Sequence, residues 1–103
     1  MVDYQIRNGI VLEEILGRYL LISTEAAREK CHYIRLIDDI TAYYWQMMEQ
    51  GLTVDEMVDY AHKQFGDVSE KQLKEDITEL IQVLKELGYL LKDDELEEIN
   101  SCK

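Results

Sequence analysis

The chain has no proline, only five glycines, one tryptophan and one phenylalanine among its 103 residues. The missing proline excludes a polyproline segment or a proline-rich linker. The two cysteines, Cys31 and Cys102, are too few for the disulfide framework of a small secreted domain, so both read as reduced thiols. The two histidines, His32 and His62, form no pair at ligand spacing. A metal site would have to bring His62 and Cys102 to Cys31 and His32 from far along the chain, so neither a metal nor a cofactor is expected. No apolar run exceeds a few residues, which excludes a membrane-spanning helix. Met1-Val2-Asp3-Tyr4 lacks the basic and then apolar start of a signal peptide. A cytoplasmic protein with no membrane partner is the expectation.

Basic residues are also scarce, 11 against 22 acids, for a net charge of −11. Residues 1–37 hold five of each and are neutral, whereas residues 38–103 hold 17 acids and six bases and carry the whole excess. Such a surface repels a phosphate backbone, so no nucleic-acid partner is expected. Most of these acids read as solvated helix faces. The neutral first third is the natural approach for a partner.

Apolar residues make up 47% of the chain, enough for one folded domain with a modest core. The expected boundaries are 1–91 for that domain and 92–103 for an acidic tail, in which Leu96 and Ile99 suit a short helix. Two β-rich runs, Gly9 to Ile15 and Arg18 to Ser23, flank Gly17 and read as a hairpin. A polar link, Thr24 to Lys30, leads to a third strand over His32–Ile37. Along it Tyr33, Arg35 and Ile37 point one way, and Ile34 and Leu36 the other.

Helical signals follow. Asp38 is placed to cap a helix running to about Gln50, with Ile40, Tyr44, Met47 and Met48 on one face and Tyr43 and Trp45 beside it. Thr53-Val54-Asp55-Glu56 and Ser69-Glu70-Lys71-Gln72 are capping boxes that open two more helices. The second ends at Gly66. The third has Leu73, Ile77, Leu80, Leu84 and Leu87 as its core stripe and ends at Gly88. Tyr89-Leu90-Leu91 extends the core. The fold class is therefore α+β, a small three-stranded antiparallel sheet followed by three helices.

No residue constellation points to catalysis. There is no nucleophile beside a base and no glycine-rich phosphate loop. Glu13-Glu14 face opposite sides of a strand, and Asp38-Asp39 is explained by a helix start. The domain reads as a binding module, not an enzyme. In a three-stranded meander two strands are edges, and an open edge is either protected or used. A natural use is to accept an extended peptide as an added strand. The expected peptide-binding residues are His32, Tyr33, Ile34, Arg35, Leu36 and Ile37 on strand three. On helix three they are Lys74, Ile77, Thr78, Ile81 and Lys85, with Ile81 on the flank of the core stripe.

The ordered set Gly9-Ile-Val-Leu-Glu, Gly17-Arg-Tyr-Leu-Leu-Ile, Ile37-Asp-Asp-Ile-Thr-Ala-Tyr-Tyr-Trp, Gly51-Leu-Thr-Val-Asp-Glu, Phe65-Gly and Glu75-Asp-Ile-Thr-Glu-Leu, with Leu87-Gly-Tyr-Leu, resembles the PqqD-like domain, or RiPP recognition element, over about residues 9–91. The resemblance implies a winged-helix-like arrangement. It implies binding of the leader of a ribosomally made precursor peptide at strand three and helix three. It also implies a modifying enzyme, often a radical SAM protein, as second partner. Where the family often has Asn-Glu, this chain has Asp38-Asp39, and both pairs cap a helix. Two other classes compete. One is a winged-helix DNA-binding regulator, opposed by the five acids among residues 70–87. The other is a regulatory subunit of an enzyme, docking through the aromatic rim of helix one.

Overall fold

A computed structural model describes residues 4–24, 27–28 and 34–95. Its elements are β1 (Ile10–Ile15), β2 (Arg18–Ser23), β3 (Ile34–Ile37), α1 (Asp39–Glu49), α2 (Val54–Gln64) and α3 (Glu70–Leu87). The strands form one antiparallel sheet in the order β1-β2-β3, so the fold is α+β, as the sequence pattern requires. No described helix is long and apolar enough to cross a membrane.

The hairpin closes on two residues, Leu16 (φ 53°) and Gly17 (φ 77°). Positive φ at both positions is the type I′ pattern, whose twist matches that of the strands. Glycine takes this conformation freely, whereas leucine pays a steric penalty between Cβ and the following carbonyl. Leu16 is also 97% exposed, so its side chain gains nothing by burial. Leu16→Asn is expected to raise stability by roughly 0.5–1 kcal/mol, because asparagine tolerates this region far better. A urea titration followed by the fluorescence of the buried, single Trp45 measures it.

The caps sit where the sequence places them. Asp38 accepts the Thr41 N–H at 2.7 Å, and hydrogen bonding from Thr41 holds its carboxyl below the usual range. Thr53 and Glu56 form a full reciprocal box. Ser69 makes only half of one: it accepts the Gln72 N–H, while the Gln72 side chain turns forward to Asp76. Gly88 (φ 92°) ends α3 in the left-handed conformation.

The core is centred on Trp45, Tyr89, Leu21, Met57, Ile77 and Leu90, all fully buried. Of the expected α1 face, Tyr44, Met47 and Met48 are buried, but Trp45 is central and Ile40 is 56% exposed. The reason is that Ala42, Trp45 and Met48 follow one another every three residues and leave Ile40 off that line. A second feature lies outside the expected elements. Ile6 bridges Leu90, and the Leu91 N–H donates to the Gln5 carbonyl at 2.8 Å. Arg7, buried beside them, donates through Nε to the Gly88 carbonyl at 2.6 Å and grips Glu95 through both terminal nitrogens at 2.7 and 2.8 Å. The start of the acidic segment after residue 91 is thereby fastened to the domain.

Candidate functional site

Which backbone groups of β3 are free follows from the ladder. In an antiparallel pair, hydrogen-bonded and non-hydrogen-bonded residue pairs alternate. Beside a two-residue turn the flanking pair, Ile15 with Arg18, is hydrogen-bonded, so Glu13 with Leu20 and Val11 with Ile22 are too. The next pair in that series confirms the phase: the Thr24 N–H donates to the Gly9 carbonyl at 2.8 Å. Tyr19 and Leu21 therefore turn their backbone groups towards β3, where they face Ile37 and Arg35. The N–H and C=O groups of Ile34 and Leu36 then point out of the sheet. Among the described residues no strand covers that edge.

Side chains alternate as expected. Ile34 and Leu36, 52% and 54% exposed, lie on the outer face of the sheet, while Arg35 and Ile37 are half-buried on the inner face. The opposite edge, β1, carries Glu13 and Glu14, and such charge discourages pairing. Edge β3 has no acid of its own. His32 and Tyr33 lie outside the described residues.

Three residues beyond β3, Ile40 forms the lip of a cleft of about 440 Å³. Tyr44, Phe65, Val68, Leu73 and Leu80 supply its apolar walls, and Thr41, Asp67 and Asp76 its polar rim. The aromatic residues are fixed in place: Tyr43 packs on Tyr44 at 5.5 Å and edge-on against Phe65 at 5.8 Å. Burial, and secondarily the charge of Asp76, raise the pKa of the Tyr44 phenol, so it is neutral at ordinary pH. The cleft lies between the start of α1, which follows β3 in the chain, and helix α3. The aromatic run Tyr43-Tyr44-Trp45 leaves no exposed rim, since Tyr44 and Trp45 are buried and Tyr43 half-buried.

The helix-three part of the expected site needs correction. Ile81 is 7% exposed and belongs to the core, as does Ile77. The buried face runs through Leu73, Ile77, Ile81 and Leu84, while Leu80 and Leu87 are only half-buried. Both series fit helical spacing, and the choice between them turns the helix by a fraction of a turn. At 100° per residue, Lys74, Thr78 and Lys85 then fall roughly 120–160° around the helix from Leu80. Lys74 and Thr78 are exposed on that distant flank. Two of these cations already have partners: Lys74 approaches Asp55 at 3.7 Å, and Lys85 pairs with Asp93 at 2.8 Å.

Residues the sequence reading passed over are Ile40, Phe65, Val68 and Leu80 as cleft residues. A signal existed. Helix α3 has seven large apolar residues in 18 positions, more than one buried stripe can hold, so one flank had to remain accessible. Leu80, Val83 and Leu87 are that flank.

Compared with known families, the chain matches the one described as Coenzyme PQQ synthesis protein D (PqqD) over residues 26–90. No curated protein and no solved structure matches it.

Proposed function

The chain belongs to the PqqD family, and on that premise we propose that it binds the leader segment of a ribosomally made precursor peptide as an added strand along β3. Membership implies a peptide-binding accessory role, beside a modifying enzyme, in the making of a peptide-derived product. In the proposed mode, the N–H and C=O groups of Ile34 and Leu36 hydrogen-bond the leader backbone. Alternate leader side chains then fall on the inner face of the sheet, and an apolar one enters the cleft between Ile40 and Leu80. The domain holds the leader while the following segment stays free for the enzyme, which the family resemblance suggests is of the radical SAM class.

One observation carries this reading: among the described residues no strand covers the β3 edge, and three residues beyond it Ile40 stands at the lip of an apolar cleft. A backbone ladder supplies affinity with little sequence demand, and one filled apolar pocket supplies register. The cations of α3 give little support to a DNA-binding reading, since Lys71, Lys74 and Lys85 share the helix with Glu70, Glu75, Asp76, Glu79 and Glu86.

The test is a peptide selection followed by amide chemical-shift mapping. A displayed library of random 16-residue peptides is panned against the full chain, and the dominant sequence is synthesised. Its addition is expected to shift the amides of Ile34 to Ile37, Ile40 and Leu80, with low-micromolar or tighter affinity. Shifts confined to α2, or no enriched peptide, would overturn the reading.

A further inference from the structure

We infer that Arg35 is the specificity-determining residue of the β3 edge, and that it selects a peptide with an aspartate or glutamate opposite it and an apolar residue two positions away. The inference rests on the strand-addition reading and adds the class of peptide.

Arg35 faces inward from an edge strand, opposite Leu21 and two residues from Ile37. Its Nε is buried, and it finds no hydrogen-bond partner. The chain carries 22 acids, yet among the described residues none pairs with this guanidinium. The other arginine turned into the fold, Arg7, has a bidentate carboxylate and a carbonyl. A buried, unsatisfied donor on a charged group is costly, and a carboxylate accepting from Nε and a terminal nitrogen relieves that cost.

The ladder puts that carboxylate in one place. Ile34 and Leu36 are the residues whose backbone groups face outward, so an antiparallel added strand forms its hydrogen-bonded pairs with them. The residue opposite Arg35 then occupies a non-hydrogen-bonded position, where facing side chains come closest. Two positions along, on the same inner face, the peptide residue lies opposite Ile37, next to the cleft that Ile40 opens. Because the added strand runs antiparallel to β3, the peptide reads apolar–any–acid from its N-terminal side. Lys74 and Lys85 do not compete for the acid, because they lie on the flank of α3 turned away from Leu80 and the cleft.

The same 16-residue library is panned separately against the wild type and Arg35→Gln. The wild type is expected to enrich an Asp or Glu column two positions from an apolar column, and Arg35→Gln to keep the apolar column and lose the acidic one. With the dominant synthetic peptide, Arg35→Gln and the peptide's acid-to-amide change should each weaken binding at least about tenfold, and together no more than either alone. Arg35→Lys, which keeps the charge but not the paired donors, should recover only part of the affinity, and thermal melts should show both variants folded. Enriched peptides that shift Ile34 to Ile37 but lack the acidic column, or losses that simply add, overturn the role of Arg35 and leave strand addition standing. Failure to enrich any peptide overturns strand addition, and this inference with it.

Discussion

Leu36→Pro is expected to lose the peptide while the domain stays folded. Leu36 directs its N–H to the open edge, so proline removes a hydrogen bond that the sheet itself does not use. Its side chain is on the outer face and more than half exposed, so no core packing is lost. The missing donor and the ring projecting at the added strand together should cost roughly 2–3 kcal/mol of binding, a loss of about 30- to 150-fold. Two comparisons isolate the cause. Leu36→Ala keeps the N–H and should bind within a few-fold of the parent. Arg35→Pro removes a donor that β2 does use, and should lower the melting temperature as well as the affinity. Calorimetry of each variant with the selected peptide, beside far-ultraviolet circular dichroism, reads both quantities. Unchanged binding by Leu36→Pro would mean that the peptide does not use this edge.

Ile81→Asp is expected to unfold the protein. Ile81 lies in the core with Ile77 and Leu84, 7% exposed. A charge at this position loses the isoleucine burial and adds the cost of a buried, unpaired ion, together about 4 kcal/mol or more. Small domains have only about 5–15 kcal/mol in all, so such a loss removes much or all of the stability and should leave a strongly lowered or absent cooperative melt. Leu80→Asp is the informative neighbour. Leu80 is half-buried at the cleft, so the same change there should leave a cooperative melt and remove apolar recognition. A cooperative, near-parental melt for Ile81→Asp would mean that α3 is turned differently in solution.

The outcome at Ile81 shows where sequence reading reaches its limit. Both borders of β2 and all three N-caps were legible, because a turn glycine and a capping side chain act on their own neighbours. The alternation of Ile34, Arg35, Leu36 and Ile37 was legible for the same reason. What failed was rotation about a helix axis. Series 73-77-80-84 and 73-77-81-84 are equally periodic, and only contact with other elements chooses between them. The same applies to α1, where Trp45 rather than Ile40 takes the core. The Arg7–Glu95 pair was hidden for a different reason. Its members are 88 residues apart, and nothing in either local stretch announces the other. The cleft was half legible, as an excess of apolar residues on α3, but its second wall belongs to α1.

The Ile6–Leu90 bridge and the Leu91–Gln5 hydrogen bond bring the two ends of the described domain side by side. Residues 5–91 are in effect a ring that lacks one bond. A short linker between those ends would close it, and the exposed Leu16-Gly17 turn offers a place to reopen it without touching β3 or the cleft. The same adjacency means that a second protein fused at either end would hang from a single point of attachment. Its distance from the β3 edge, and so the local concentration of a held peptide at its surface, would be set by linker length and would hardly depend on which end was chosen.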